Sequence, residues 1–201
     1  SFEKAASGFM VADPLTLYDC CPTSDGASCV ILAADHVVRE FTDDPIWLKG
    51  SGAGSDHLAL HDRHSITQMS ATQKAVAQAY KSSGVSARDI DLAEVHDCFT
   101  IAELMATEDL GFANRGEGGL FARQGRGRRN EGDVAINPSG GLKSKGHPLG
   151  ATGTGQAVEV FKQLKGTVES ARQIRDAEIG LTHNVGGSGA TCAVHIFGRD
   201  R

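Results

Sequence analysis

Apolar residues recur along this chain with two periods, and the two periods alternate. Between Ser70 and Ser83 they follow helical spacing, which predicts a helix that stops at Gly84. A β-type run from Ile90 to Val95 follows, and a second helical run extends from Phe99 to Leu110. The alternation predicts an α/β fold with a parallel or mixed sheet covered by helices on both faces.

The last third of the chain continues this pattern. Helical spacing predicts a helix from Ala151 to Leu164, whose buried stripe is expected to consist of apolar residues. Strand-like runs cover Ala177 to Thr182 and Thr191 to Phe197, and a glycine-rich stretch from His183 to Gly189 separates them. The buried stripe expected for the helix from Ala151 to Leu164 comprises Ala157, Val158, Val160, Phe161 and Leu164. The chain therefore closes with a predicted hairpin.

The first 55 residues carry weaker signals. We predict a strand at Leu15 to Tyr18, a turn at Asp25 and Gly26, and a second apolar run from Ala27 to Ala34. A short helix is predicted at Ala33 to Arg39. A strand is expected to begin at Trp47, and the glycine-rich residues 50–55 are expected to form a loop.

Composition narrows the class of protein. The chain has 201 residues, of which 40% are hydrophobic and 22% are charged, as in one globular unit with a sizeable core. A net charge of −5 argues against a nucleic-acid partner. No apolar run approaches the roughly 18 residues of a membrane span, and no signal-peptide pattern is present, so we expect a soluble, cytoplasmic protein.

The cysteines and histidines indicate little metal chemistry. Five cysteines are odd in number and form no C-x-x-C pair, so neither a zinc site nor a disulfide framework is predicted, and reduced thiols are expected. His57, His61 and His64 have the spacing of ligands on one helical face, but an exposed loop or helix start is the favoured interpretation. No metal site is therefore predicted.

Reactive chemistry is concentrated where the predicted strand meets the second helix. His96-Asp97-Cys98-Phe99 places an imidazole and a thiol two residues apart at that junction. A thiol acts as a nucleophile or base only as thiolate, and a neighbouring imidazole or a helix N-terminus can lower its pKa. Strand ends of this kind carry ligand sites in open α/β sheets. A buried, inert cysteine beside a hydrogen-bonded histidine is the alternative interpretation.

Two further segments complete a pattern. Asn-Pro-Ser-Gly-Gly-Leu begins at Asn137, Gly-His-Pro-Leu-Gly-Ala-Thr-Gly contains His147, and His-Asn-Val-Gly-Gly-Ser-Gly begins at His183. Together with His96-Asp-Cys-Phe, in this order and spacing, they resemble the C-terminal half of a thiolase. The sterol-carrier-protein type and its archaeal and bacterial relatives are the most similar branch. The resemblance covers nearly the whole chain.

The resemblance implies an architecture and a function. Thiolases have an α-β-α-β-α layered fold, in which residues 1–45 would be a remnant of the N-terminal half and residues 46–201 the C-terminal domain. The implied activity is that of an acyl-CoA C-acyltransferase, which performs Claisen condensation or thiolysis of a β-ketoacyl-CoA in lipid metabolism. Coenzyme A thioesters are the implied substrates, and no separate cofactor is expected.

The resemblance also implies roles for individual residues. His147 would activate a nucleophilic cysteine, and His96 would polarise the thioester oxygen in place of the usual asparagine. Cys98 would move the proton at the α-carbon, because Asn184-Val185-Gly186 stands where most thiolases have a catalytic cysteine. Gly186 would supply a backbone N–H to an oxyanion hole. The residues expected to contact substrate are Ser139, Gly140, Asn184 and His183, and a one-residue shift would bring His183 into the place of the missing cysteine.

The nucleophile is not identified by this resemblance. In thiolases it lies in the N-terminal half, and none of the other four cysteines has the expected setting: Cys20, Cys21, Cys29 and Cys192. Three explanations stay open: a fragment of a longer protein, a separate N-terminal chain, or a divergent protein that works without this nucleophile. The first two are favoured.

Other functions and partners remain open at this point. A retro-aldolase acting on a CoA thioester is an alternative enzyme, and a non-catalytic thiolase-like subunit is an alternative outside catalysis. The expected partners are the N-terminal half, a homo- or hetero-oligomer and an OB-fold protein. We predict self-association or insolubility without the missing half. The arginines at 123, 126, 128 and 129 are interpreted as a solvated surface, with contacts to coenzyme A phosphates as the alternative.

Overall fold

The structure is a computed structural model that describes residues 2–201, and for Phe2 its main chain alone. The strands are β1 (Met10–Ala12), β2 (Leu15–Thr16), β3 (Trp47–Ser55), β4 (Leu92–Glu94), β5 (Ala135–Ile136), β6 (Ile179–Gly186) and β7 (Thr191–Gly198). The helices are α1 (Phe2–Ala6), α2 (Ser70–Ser83), α3 (Thr100–Asp109), α4 (Gly118–Arg123), α5 (Gly141–Lys145) and α6 (Thr152–Lys165). Within residues 2–201, none of the helices combines the length and apolarity needed to cross a bilayer.

Five strands form one mixed sheet in the order β3-β7-β6-β4-β5. β7 pairs antiparallel with both β3 and β6, whereas β4 pairs parallel with both β6 and β5. α2 packs against β3 and β7, and α6 packs against β6 and β4. One core lies under α2 and α3, and a second lies under α6. The predicted α/β fold, with a mixed sheet and helices on both faces, is confirmed.

Three glycines of β3 let α2 approach the sheet at backbone distance. A Cβ atom at Gly50, Gly52 or Gly54 would lie 2.4, 1.9 or 2.1 Å from the carbonyl oxygens of three buried alanines of α2. These alanines are four residues apart, a rise of about 6 Å, which matches the two-residue repeat of a strand at about 6.7 Å. The alanines are Ala79, Ala75 and Ala71, in that order. The loop predicted at residues 50–55 is therefore wrong, since these glycines form a strand.

The three helices predicted between residues 70 and 164 are confirmed, with one correction to a buried face. α2 ends at Gly84, whose φ of 75° is the left-handed conformation that suits glycine, and α3 and α6 begin and end within one residue of prediction. The apolar stripe predicted for α6 is partly wrong, since Phe161 is 47% exposed. The buried face instead includes polar side chains, which are Thr152, Gln156, Glu159 and Gln163.

Two connections differ from prediction. β6 runs as far as Gly186, so the first four residues of the predicted turn belong to a strand, and the reversal is confined to the residues that follow it. Gly187, Ser188 and Gly189 have positive φ there. The polar segment at residues 113–135 contains α4, which the pattern did not predict.

The N-terminal segment has little regular structure. β1 and β2 form a separate two-stranded sheet, and β2 covers only part of the predicted strand at residues 15–18. Residues 21–34 form neither helix nor strand, and the turn predicted at Asp25 and Gly26 is not formed. In place of the predicted helix at residues 33–39, turns lead into a single 3-10 turn at Val38–Glu40. The division at residue 45 remains a prediction, and residue 1 lies outside the described residues.

Candidate functional site

The site lies at the carboxyl ends of the parallel strands. β4 leads directly into His96, Asp97 and Cys98, and β5 leads into the loop that begins at Asn137. The Asn137 side chain ties the two strand ends together, because its Oδ1 accepts the Val95 N–H at 2.8 Å. The reactive segments are thus gathered at one edge of the sheet, where ligands bind in open α/β folds.

Asp97 attaches the strand end to α5, the short helix that precedes His147. Its carboxylate accepts the backbone N–H groups of Leu142 at 2.7 Å and Lys143 at 3.3 Å. Gly141 is required at this place because it has a φ of 65° and because a Cβ there would lie 2.2 Å from the carboxylate. Burial raises the pKa of Asp97, while these N–H groups oppose the shift. Asp97 thereby sets the distance between the two histidine segments.

Ser139 and Gly140 stabilise the same loop. The Ser139 hydroxyl donates to Glu94 Oε2 at 2.6 Å, and its N–H donates to Glu94 Oε1 at 3.0 Å. Lys145 lies 3.3 Å from the same carboxylate, whose pKa is raised by burial. Gly140 is exposed and has a φ of 95° at the start of α5. Substrate contact through Gly140 stays a prediction, and the polar groups of Ser139 are already engaged within the loop.

His147 and His96 meet ring to ring. Their ring centroids are 4.8 Å apart, and the planes cross at 88°, an edge-to-face arrangement. His147 Nδ1 lies 2.7 Å from the Thr152 hydroxyl at the start of α6. Its backbone N–H donates to the Pro22 carbonyl at 3.3 Å. Residues about 50 positions apart in sequence therefore form one pair of imidazoles.

His96 is a neutral imidazole in this environment. Its ring is buried, and burial lowers its pKa to about 4, with His147 contributing in the same direction. Asn184 Nδ2 lies 3.2 Å from His96 Nδ1 and also 3.2 Å from Gln156 Oε1. Burial lowers the pKa of His147 as well, while Asp97 opposes the shift. The pair therefore works through hydrogen bonds and not through positive charge.

His183 occupies the opposite face of β6 from Asn184. Its ring is completely buried, and its Nε2 lies 2.9 Å from the Thr72 hydroxyl in α2. The backbone N–H of His96 donates to His183 Nδ1 at 3.4 Å, and burial lowers the pKa of His183 to about 3. Neighbouring residues of a strand point to opposite faces. The His183 ring is therefore bonded beneath His96, and its expected contact with substrate stays a prediction.

Cys98 does not have the lowered pKa that its sequence neighbours suggested. Its side chain is half-buried, and burial raises its pKa, with the Cys21 thiol and Asp97 adding to the shift. The neutral His96 brings no positive charge to stabilise a thiolate, and Cys98 precedes α3 by two residues. The Cys21 N–H donates to the Cys98 carbonyl at 2.9 Å, so a second thiol borders the site. The resting form of Cys98 is the thiol.

Gly186 lies near the end of β6, two residues after Asn184 and opposite Thr191. Residues two apart on a strand share a face, so Gly186 is on the same face as the Asn184 amide. A Cβ at this position would lie 3.0 Å from Thr191 Oγ1, which favours glycine. Its expected role as an oxyanion donor stays a prediction.

Other predicted features lie outside this constellation. Residues 60–62 form a 3-10 turn, and His61 is exposed beside Asp62 at 3.6 Å. Across residues 2–201, no group of three or more His, Cys, Asp or Glu side chains is arranged to hold a metal ion. Arg126 pairs with Asp133 at 2.6 Å and stacks on Phe121 at 5.2 Å from its centroid. That arginine is engaged in local structure.

Several site residues were missed by sequence analysis. Thr152, Gln156 and Thr72 are polar residues inside otherwise apolar helical patterns, and all three are buried. Polar residues on a buried helix face require hydrogen-bond partners, so their position was the available signal. Identifying the partners required the packing of α6 and α2 on the sheet. Asn137 was quoted in the motif, but its bond to the strand end was not predicted.

Comparisons with known proteins identify the relatives of this chain. A family model described as "Thiolase C-terminal domain-like" matches residues 52–199. Acetyl-CoA acetyltransferase of Methanothermobacter thermautotrophicus is 53% identical over 197 residues, which are 98% of this chain and 51% of that protein. Sterol carrier protein 2 of Oryctolagus cuniculus is 38% identical over 195 residues, covering 94% of this chain and 35% of that protein.

The fold is also similar to that of a solved structure. A solved structure named "Ltp2-ChsH2(DUF35) aldolase" superposes with a TM-score of 0.85 at 25% identity, covering all of this chain and 52% of that one. The chain spans about half the length of the acetyl-CoA acetyltransferase that it matches. From the matched residues, the motif order and the shared fold, the chain belongs to the thiolase C-terminal domain-like family.

Proposed function

We propose that this chain provides one half of an active site for acyl transfer between coenzyme A thioesters, as in acetyl-CoA C-acyltransferases. The observation that carries the proposal is the convergence of three separated motifs on the His96 and His147 rings, 4.8 Å apart. The name of the 53% identical relative supports the reaction class. Coenzyme A thioesters are the substrates in this proposal, and no further cofactor takes part.

His147 is proposed as the base that activates a nucleophilic thiol. For this role its Nε2 must accept a proton, so Nδ1 must carry one and donate it to Thr152 Oγ1 at 2.7 Å. The Thr152 hydroxyl hydrogen then points to the Pro148 carbonyl at 3.1 Å. A neutral imidazole suits a base, and the lowered pKa of His147 keeps the ring neutral near pH 7.

His96 is proposed as the donor to the thioester oxygen. A neutral ring whose Nδ1 faces the Asn184 amide group carries its proton on Nε2. An N–H group fixed before the reaction stabilises the negative oxygen of an enolate at no reorganisation cost. The two adjacent rings would thus offer opposite functions, one acceptor and one donor.

Cys98 is proposed as the acid and base at the α-carbon. In thiolysis, the nucleophilic sulfur bonds to the β-carbonyl carbon, the carbon–carbon bond of the β-ketoacyl thioester breaks, and the acetyl-CoA enolate takes the proton of the Cys98 thiol. The Cys98 thiolate then takes the thiol proton of coenzyme A, whose sulfur accepts the acyl group as the bond to the nucleophilic sulfur breaks. In condensation, the Cys98 thiolate removes that proton, and the enolate forms the new carbon–carbon bond while the acyl–sulfur bond breaks. The raised pKa of Cys98 favours the thiol, which is the protonation state that the cleavage step requires.

A second polypeptide segment is proposed to complete the site and to supply the nucleophile. Large apolar side chains of the first 45 residues are exposed, with Phe9 79%, Ile31 93% and Leu32 77% accessible. Exposed apolar surfaces of this extent mark interaction sites. An N-terminal thiolase half, in the same or a separate chain, fits this surface, and an oligomer or an OB-fold partner would extend it. Five free thiols suit a reducing compartment, so a cytoplasmic location belongs to the proposal.

A retro-aldolase acting on a CoA thioester is the second candidate. The solved structure with a TM-score of 0.85 is named an aldolase, which favours this reading. Cleavage of a β-hydroxyacyl thioester needs a base but no acyl-enzyme, so the His147 base suits either reaction. The retained Cys98 thiol speaks for the transferase. A catalytically inactive subunit is the third possibility, and the same experiment tests it.

The test is an acetyl exchange assay between acetyl-CoA and labelled coenzyme A with the N-terminal half present. We expect exchange, and we expect Cys98→Ala to lower β-ketoacyl-CoA thiolysis at least about 100-fold through loss of its acid–base group. Cys29→Ala is the matched control, since that thiol is exposed. Cleavage of a β-hydroxyacyl-CoA without added coenzyme A would identify the retro-aldolase. Absence of both reactions would reject both enzymes.

A further inference from the structure

A buried amide lies one step behind the imidazole pair. Gln156 is in the second turn of α6, and its side chain is completely buried. Its two polar atoms bond to different partners on β6. A buried amide with both ends paired has one orientation, because a reversed amide would face like groups.

The orientation of Gln156 follows from its first partner. Its Nε2 donates to the His183 carbonyl at 3.0 Å, and a main-chain carbonyl can only accept. Gln156 Oε1 therefore points to Asn184, at 3.2 Å from Nδ2. Because this oxygen can only accept, Asn184 must present its NH2 group to it. Each amide is thereby fixed by the one before it.

The last member of the series is His96. The second hydrogen of Asn184 Nδ2 points to His96 Nδ1 at 3.2 Å, so Nδ1 must accept and the ring proton must be on Nε2. We propose that Gln156 is a positioning residue that fixes the tautomer of His96 through Asn184. The series His183 carbonyl, Gln156, Asn184 and His96 is called the amide relay below.

The main chain of His96 is held by the same strand residue from which the relay starts. The His96 N–H donates to His183 Nδ1 at 3.4 Å, so Nδ1 is an acceptor and His183 Nε2–H donates to Thr72 at 2.9 Å. His183 thus fixes the His96 backbone through its ring and the His96 side chain through its carbonyl. Both constraints on His96 therefore come from a single residue of β6, His183.

The consequence for catalysis rests on the proposed function. With Nε2–H, His96 donates to a developing oxyanion, whereas the other tautomer would present a lone pair to the same oxygen. Loss of the relay is expected to lower kcat with little change in KM, because the bond strengthens only as negative charge develops. If Gln156 served only for packing, its replacement would not change which ring nitrogen of His96 carries the proton.

The test measures directly which ring nitrogen of His96 carries the proton. Long-range 1H–15N spectra of the imidazoles distinguish Nδ1–H from Nε2–H in the whole chain. We expect a single Nε2–H form of His96 in the wild type and a mixture of both forms in Gln156→Met, which keeps the volume and removes both hydrogen bonds. Gln163→Met is the matched control, since Gln163 is a buried amide of α6 that bonds to Glu159 and Arg172 instead.

A second variant keeps the test decisive if Gln156→Met does not fold. In Asn184→Asp, a carboxylate replaces the donor and accepts from His96 Nδ1–H, so we expect the proton on Nδ1. A single Nε2–H form in either variant, or an Nδ1–H form in the wild type, would overturn the relay.

Kinetics separate the relay from the proposed function. With the N-terminal half present, we expect kcat of Gln156→Met to fall about tenfold, a part of the loss typical for one oxyanion donor, and KM to stay within about twofold. If Gln156→Met shows the expected tautomer shift and the wild-type protein shows no acyl transfer, the relay is upheld and the proposed function is rejected. A shift without a change in kcat would reject the catalytic consequence.

Discussion

Residues 46–201 and residues 2–45 are held in place by opposite means. The larger region has apolar cores on both faces of its sheet, and side chains such as Leu92 and Leu181 are completely buried. The smaller region leaves Ile31 and Leu32 almost fully exposed. Burial of apolar area stabilises the first region, and the same effect contributes much less within the second.

Polar contacts to the site hold the smaller region. Cys21 N–H donates to the Cys98 carbonyl, the Pro22 carbonyl accepts from His147 N–H, and the Ser28 hydroxyl donates to the Ala151 carbonyl at 2.7 Å. Every one of these partners belongs to the site segments or to the residue before α6. The conformation of residues 2–45 therefore depends on contacts with the site segments, whereas the sheet positions the site segments.

The largest expected effect tests the sheet region at its closest contact. Gly52→Ala would place a Cβ 1.9 Å from the Ala75 carbonyl oxygen, so α2 must move away from β3. We expect a loss of about 3 kcal/mol or more in the free energy of unfolding. Gly119→Ala is the control, because a Cβ at that helical glycine meets no atom within 4 Å, and a gain of up to about 1 kcal/mol is expected. Urea unfolding of both variants measures the difference; equal stabilities would contradict the close packing.

The second prediction concerns acid stability and the buried His183. Its pKa is about 3 when folded and 6.5 ordinarily, so below pH 6.5 the unfolded chain binds a proton that the folded chain excludes. The contribution of His183 to the free energy of unfolding is therefore fully present above pH 6.5 and is lost as the pH falls towards 3. Buried carboxyl groups with raised pKa values act in the opposite direction, among them Glu94 and Glu103, so a paired comparison is needed.

His183→Gln provides that comparison. When the pH falls from about 7.5 to about 4.5, the wild type is expected to lose on the order of 3 kcal/mol more of its free energy of unfolding than the variant. Denaturant unfolding at both pH values measures it. Parallel pH profiles of the two proteins would mean that His183 is accessible to protons in the folded state.

The smallest effect on stability is expected in the N-terminal segment. The triple variant Phe9→Ser, Ile31→Ser and Leu32→Ser removes apolar groups that contact little of this chain, so the free energy of unfolding should change by less than about 1 kcal/mol. Self-association, measured by sedimentation velocity, should nevertheless fall. The control is Leu58→Ser with Ile66→Ser, which are exposed to a similar degree outside this segment. An equal fall in the control would show that the segment has no special role.

The sequence alone was enough to predict α2, α3 and α6 and the family, and its motifs contain the two histidines that the structure brings together. Helical spacing and terminal glycines defined α2 and α6 because these signals are local. The histidine and cysteine motifs identified His96, Cys98 and His147, since loops rich in glycine around single reactive residues serve a core poorly. Local signals also placed the two final strands, although the end of β6 was missed.

The tertiary structure alone decided which groups face the site and in what state. His183 and Asn184 are adjacent in sequence, yet strand geometry puts one beneath the sheet and the other beside His96, and a one-residue shift reverses both. Glycines 50, 52 and 54 form a strand because α2 lies against them. The state of the Cys98 thiol depends on burial and on neighbours distant in sequence, so spacing within its motif could not predict it.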